Sequence, residues 1–249
     1  MEVLIATSTT DFDPTEVAVP WKLLKEAGVD VRFATDTGLA GYADQRMLDG
    51  NKFYFLKPVL MADKSARDAY REMRHEPAFK SPISYDEIRV EDYNGLLLPG
   101  GHSKGIIPYL ESAELQSAIV GFFALNRPVG AICHGVVAAC RAIDPTTGKS
   151  VLFGRKTTAL LKRQERLAYK LTRHNLGKYY LTYPVTVEEE VTATLQSPAD
   201  FIRGPSPILR DSPNKLSRGF TVRDGNYLSA RWPGDVYRFA TEFLQMLRA

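Results

Sequence analysis

Three features of the sequence predict an α/β fold built on a parallel sheet. The first 34 residues read as strand, helix and strand; the same rhythm resumes between Gly95 and Ile132; and the chain ends on an amphipathic stretch, Gly234–Leu247. A chain of 249 residues with 44% hydrophobic and 24% charged side chains can bury one large core without crosslinks. A single domain, residues 1–249, is therefore expected.

The first unit carries the clearest signals. Val3–Ala6 is a short apolar run ending in four hydroxyl residues, Thr7–Thr10, as a buried strand entering a loop would be. Asp13-Pro14-Thr15-Glu16 then opens a helix, with Asp13 as cap, Pro14 in the first turn and Glu16 closing a capping box. Val17, Pro20, Trp21 and Leu24 give that helix its apolar face and Gly28 its stop, and Val29–Ala34 is the second strand. Two strands joined through a helix must run parallel.

From Thr35 to Asp92 the rhythm lapses into aromatic clusters, a charged helical stretch at Asp63–Arg74 and two proline breaks. That length exceeds a simple connection, and residues 38–90 are expected to form an inserted cap or lid. Gly95–Pro99 reads as a strand, Gly100-Gly101 as a tight turn, Ser112–Leu125 as a helix capped by Ser112, and Val129–Ile132 as a strand. Farther on, Arg163–Arg173 looks helical and Val185–Leu195 extended. Phe220–Trp232 looks like a hairpin turning at Asp224-Gly225-Asn226.

Composition narrows the function classes. Thirty-two Lys and Arg against 29 Asp and Glu leave a diffuse +3, which argues for neither nucleic acid nor an anionic membrane as partner. Two cysteines, Cys133 and Cys140, make neither a disulfide framework nor a cysteine zinc site. No His, Asp and Glu cluster has metal-ligand spacing. The N-terminus has an acid where a signal peptide needs cations, and the longest apolar stretch, Ala118–Leu125, is eight residues, well below a membrane span. A cytoplasmic, soluble chain is expected.

The chemistry-bearing segment is Pro128-Val129-Gly130-Ala131-Ile132-Cys133-His134-Gly135, followed at once by small and apolar residues. A strand, a cysteine and a helix in immediate succession form a nucleophile elbow with sulfur in place of a serine hydroxyl. The elbow lifts the side chain above the carboxyl end of the sheet, and the helix N-terminus behind it favours a thiolate and a lowered cysteine pKa. Backbone amides there and at Gly100-Gly101 could form an oxyanion pocket. The competing reading of Cys133 is a buried core thiol; Cys140, seven residues on, reads as core packing.

Ala131-Ile132-Cys133-His134-Gly135 resembles the nucleophile motif of the ThiJ/PfpI superfamily, within the class I glutamine-amidotransferase-like fold. Leu96-Leu97-Leu98-Pro99-Gly100-Gly101-His102 resembles its glycine-pair signature, and Glu16 the helix glutamate that contacts the sulfur. The long segment between the second and third strands and the turn Thr147-Gly148-Lys149 after the elbow resemble the heat-shock chaperone/glyoxalase III branch. The resemblance implies a three-layer, flavodoxin-like sandwich with a mostly parallel sheet and helices on both faces. It also implies catalysis without a cofactor and, since relatives are commonly dimeric, a homodimer.

Residue by residue, the resemblance implies that Cys133 attacks, His134 shuttles the proton, and Glu165 orients the imidazole. Without it, Glu165 belongs to a solvated charged face. Glu16 would hydrogen-bond the sulfur or act as base at a substrate carbon, besides its capping role. Gly100 and Gly101 would supply amides to an oxyanion; His102 would touch substrate or sit in a surface turn. His75 and His174 lie in surface-like contexts. Val136 stands where the branch usually has proline, and Ser103-Lys104 replace small residues, placing a cation near the pocket mouth.

The expected function is that of a cysteine enzyme acting on a small carbonyl compound, as in the glyoxalase III conversion of methylglyoxal to lactate. Alternatives are a cysteine hydrolase or hydratase on a small acyl substrate, or a stress-related chaperone or redox sensor. A glutaminase subunit is excluded: no histidine is followed two residues later by glutamate, and Ser229–Gly234 occupies the region expected for that pair.

Overall fold

The computed structural model describes residues 1–249. Seven strands share one sheet: β1 (Glu2–Ala6), β2 (Asp30–Thr35), β3 (Ile83–Ser84), β4 (Gly95–Leu98), β5 (Val129–Ile132), β6 (Thr221–Asp224) and β7 (Tyr227–Ala230). Their order is β6-β7-β5-β4-β1-β2-β3, parallel throughout except for the β6–β7 hairpin. The principal helices are α1 (Pro14–Glu26), α2 (Lys64–Met73), α3 (Ala113–Ala124), α4 (Gly135–Arg141), α5 (Lys162–Leu176), α6 (Val187–Thr194) and α7 (Val236–Leu247). None is long and apolar enough to cross a membrane.

Strand alternation sorts the core into two layers. Leu4, Ala6, Leu96, Leu98, Val129 and Ala131 face α3, α4 and α6. Their neighbours Val3, Ile5, Leu97 and Ile132 face α1, α2 and α7. The result is the three-layer, mostly parallel α/β sandwich expected from the sequence. β1 pairs with β2 on one side and β4 on the other, which makes the carboxyl ends of β1 and β4 the switch point of the sheet, where such folds open a crevice.

The first helix starts as the sequence indicates, since the Asp13 carboxylate accepts from the amides of Thr15 and Glu16. Glu16 does not complete a capping box. Its Oε2 accepts from the Gly100 amide at 2.8 Å instead, and the Asp13 amide donates to the Gly100 carbonyl. The helix entry is thus tied to the end of β4. Gly100-Gly101 makes no left-handed turn; a Cβ on Gly100 would lie 2.7 Å from the His134 nitrogen, so close packing excludes a side chain there.

Residues 38–90 pack into the body of the fold. Their helix α2 packs on α1 through Ala66, Ala69, Tyr70 and Met73, and β3 joins the sheet edge by pairing with β2. Val185–Leu195, read as extended from its branched residues, is the helix α6. The Glu189 carboxylate accepts from the Thr186 hydroxyl and amide, and three glutamates in the first turn favour the positive helix end.

Past β7 the chain buries a full ion pair. Arg231 and Asp235, 1% and 0% exposed, meet through two 2.8 Å hydrogen bonds, and Arg231 also donates to the Pro205 carbonyl. Removing one partner of such a pair strands the other charge. Arg231→Leu is expected to lower unfolding stability by about 3–5 kcal/mol, measured by urea titration; an unchanged midpoint would contradict the account.

Candidate active site

The elbow is present. β5 ends at Ile132, Cys133 adopts a left-handed backbone with φ of 58°, and α4 begins two residues later. A non-glycine residue in that region stores strain that its surroundings must hold. The Cys133 amide donates to the Ala230 carbonyl at 3.1 Å, and α4 presses against β4 so closely that a Cβ on Gly135 would fall 1.9 Å from the Leu98 carbonyl oxygen. Gly135 is therefore dictated by close approach, not by turn conformation.

Cys133 is 5% exposed, and that exposure faces a cavity of about 210 Å³. Asp13, Glu16, Gly101, His102 and Glu165 also line the cavity. The structure thus gathers these residues from the start of α1, the ends of β4 and β5, and α5. Cys133 belongs both to the apolar layer beneath α1 and to the cavity wall. Cys140 is fully buried between α4 and its neighbours, as expected.

The Glu16 carboxyl lies beside the thiol, close enough for each group to bias the other. Burial, and then the Asp13 carboxyl, push Glu16 well above the ordinary carboxylate range, and its Oε1 has no partner within the fold. Burial, followed by the Glu16 and Asp13 carboxyls, pushes the Cys133 thiol well up, against the pull of the His134 amide. This corrects the expected lowered cysteine pKa: the helix end is outweighed by loss of water and by two acidic neighbours.

His134 Nδ1 sits 3.6 Å from Cys133 Sγ, and its Nε2 sits 3.1 Å from the Thr182 hydroxyl. The Thr182 hydroxyl donates its one proton to the His102 carbonyl at 2.7 Å, so it can only accept from Nε2. That fixes the tautomer: Nε2 carries the proton and bare Nδ1 faces the sulfur. Burial lowers His134 to about 3, so the imidazole rests neutral.

Glu165 does not orient that ring. Its Oε2 accepts from the Val187 amide at the start of α6, and Thr182 holds the position the glutamate was expected to fill. Nor is Glu165 solvated: it is buried, and burial raises it to about 7. Gly100 supplies no oxyanion amide, because that N–H is committed to Glu16; Gly101 remains at the cavity wall. His102 is buried, stacked on Tyr180 with centroids 4.3 Å apart, and lowered by burial to about 3 with its Nε2 unpartnered. Lys104 is exposed and does not line the cavity; the cation there is Arg210.

The sequence held no signal for Thr182, Tyr180, Arg210 or Trp232, which come from loops without a motif. His75 and His174 are exposed.

The ThiJ/PfpI family-like sequence family matches residues 7–205. This chain belongs to that family. It is 23% identical over 242 residues to the deglycase PfpI of Pyrococcus furiosus, covering 97% of this chain and 96% of that one. It is 26% identical over 148 residues to the glutathione-independent glyoxalase hsp3101 of Schizosaccharomyces pombe, a match spanning 58% of this chain and 56% of the relative. The crystal structure of glyoxalase III from Candida albicans superposes with a TM-score of 0.68 at 18% identity, covering 99% and 97% of the two chains. At that identity the likeness concerns the fold.

Two measurements test the electrostatics. With a thiol pKa raised in the folded state, iodoacetamide labelling of Cys133 is expected to be slower than that of free cysteine at pH 7 and to climb only as pH passes the ordinary thiol value; mass spectrometry of the Cys133 peptide reads both rates, and fast labelling at pH 7 would refute it. For Glu165, folding raises the carboxyl from 4.5 to about 7. The folded state therefore binds that proton more tightly, and the cost of ionising it is absent below about pH 4.5 and complete above pH 7. Glu165→Gln should accordingly gain up to roughly 3 kcal/mol at pH 8 and almost nothing at pH 4.5. Thermal unfolding at the two pH values checks this, and an equal effect at both would count against it.

Proposed function

We propose that this protein is a cofactor-independent cysteine enzyme that converts a 2-oxoaldehyde into a 2-hydroxy acid, in the manner of a glyoxalase III. The observation that carries the reading is the arrangement around one sulfur: Cys133 opens on the cavity at a strained elbow, with the Glu16 carboxyl beside it and the bare His134 Nδ1 at 3.6 Å. Family membership and the names of the glyoxalase and deglycase relatives support it.

The steps follow from the proton inventory. The thiol gives its proton to His134 Nδ1 as Sγ adds to the aldehyde carbon, and the imidazolium, unstable in its dry setting, passes that proton to the new alkoxide. A hemithioacetal results. Glu16, once its own proton has passed to solvent, removes the hydrogen from the former aldehyde carbon and leaves an enediolate with its negative charge on the neighbouring oxygen. Burial raises this carboxyl, which makes its ionised form a stronger base toward a carbon-bound hydrogen. Glu16 returns that proton to the adjacent carbon while the hydroxyl proton of the former aldehyde passes to the neighbouring oxygen, which leaves a 2-hydroxyacyl thioester on Cys133. Water then cleaves the thioester, releasing the 2-hydroxy acid and restoring the thiol. Gly101 at the cavity wall is the candidate amide donor to the oxygen that becomes negative.

A hydrolase would use the same sulfur and imidazole but has no use for a second carboxyl acid beside the thiol. Redox sensing calls for a low-pKa thiol, opposite to the direction found for Cys133.

The expected result is glutathione-independent consumption of methylglyoxal with formation of lactate, abolished in Cys133→Ala. Thr182→Val, which removes the acceptor from His134 Nε2, should lower kcat by about 10–100-fold with little change in KM. Lactate assays give both numbers. Unchanged turnover in the alanine variant would remove Cys133 from the chemistry, and no turnover of several 2-oxoaldehydes by the unmodified protein would overturn the reaction.

A further inference from the structure

The cavity holds more recognition chemistry than a three-carbon aldehyde can use. Its volume of about 210 Å³ is many times the ~10–15 Å³ that a single water requires. Eleven of its 20 lining residues are hydrophobic. Leu160, Leu167, Leu171 and Ile208 form an apolar wall that runs outward to solvent, with Ile208 78% exposed at the rim. Large apolar side chains left half-open around one pocket point to an apolar ligand rather than to a small hydrated one.

The same cavity carries unsatisfied donors. Arg210 Nη2 is anchored by the carbonyls of Val59 and Met61 at 3.0 and 3.1 Å, while its Nη1 is buried without a partner. The guanidinium lies over the Trp232 ring, 5.7 Å from its centroid, and the buried Trp232 Nε1 is also unpartnered. Arg210 takes part in none of the ion pairs of the fold. Among the acids that share the cavity, Asp13 and Glu16 feel the Arg210 charge, but burial is the largest cause acting on them and on Glu165 and pushes all three toward their neutral forms. A permanent cation thus stands in a largely apolar chamber with a free N–H and an indole N–H beside it. Buried donors left unmade are costly, and an anionic oxygen ligand satisfies both.

We infer that the cavity accepts an amphiphilic carbonyl compound whose carboxylate pairs with Arg210 Nη1 and Trp232 Nε1 while its aliphatic chain lies along Leu160, Leu167, Leu171 and Ile208. The reacting carbonyl is then presented to Cys133, and this last part rests on the function proposed above. Methylglyoxal is on this account a minimal substrate that leaves both the donor pair and the apolar wall unused.

Calorimetry with unreactive probes separates the subsite from the reaction. Octanoate is expected to bind the intact protein about tenfold or more tightly than octanamide, its neutral isostere. Arg210→Gln should erase that preference and leave octanamide binding as it was; Arg210→Lys should retain part of it. Trp232→Phe, which removes one N–H at little cost in volume, should weaken octanoate several-fold and octanamide not at all, and it carries the test should Arg210→Gln fail to fold. Equal binding of the two probes, or a preference that survives both Arg210→Gln and Trp232→Phe, overturns the inference. Turnover of an eight-carbon 2-oxoaldehyde and its ω-carboxylate completes the comparison. A charge preference in binding without turnover of any aldehyde sinks the proposed reaction and keeps the subsite. Turnover of methylglyoxal without that preference does the reverse.

Discussion

The contact between α4 and the end of β4 governs what the rest of the site can be. Gly135 lies against the Leu98 carbonyl with room for a hydrogen and nothing larger, and this proximity sets where the preceding two residues go. Cys133 is forced into a left-handed backbone, which turns its sulfur away from the strand line and toward the crevice above the sheet. Gly100, one strand over, repeats the constraint: its lack of a Cβ lets the His134 nitrogen and the Glu16 carboxyl close in from either side. The arrangement of thiol, acid and imidazole is therefore a packing result before it is a chemical one.

Once closed in, these groups follow the electrostatics of a dry chamber. Glu16 is driven toward its protonated form, the thiol toward retention of its proton, and His134 toward the neutral ring. Each shift has burial as its largest cause. Burial thus favours the protonated thiol, the protonated carboxyl and the neutral ring together. The hydrogen-bond chain from His134 through Thr182 to the His102 carbonyl performs the orienting task usually given to a carboxylate, and it does so without adding a negative charge behind a ring that already ionises with difficulty.

Much of this was legible in the chain. The apolar runs at Val3–Ala6 and Val129–Ile132, the Asp13-Pro14 helix entry and the strand-cysteine-glycine succession all have local causes, and the structure contains each of them. The failures share a different origin. Val185–Leu195 looked extended because branched residues favour strands, yet Thr186 and Glu189 close a helix start that only tertiary docking makes worthwhile. Glu165 is implied by the family resemblance, which does not carry which partner its carboxylate meets once α5 docks. Thr182, Arg210 and Trp232 lie in segments with no periodicity, and they matter solely through long-range proximity.

The Cys133 amide is tethered to the Ala230 carbonyl, nearly a hundred residues later in the chain. The strand that braces the elbow is therefore made well after the cysteine it holds. Until that hairpin docks, β5 has no partner on its outer side and the left-handed cysteine has nothing to hold it in place. The geometry of the elbow is consequently a property of the assembled sheet, held by a hairpin remote from it in sequence.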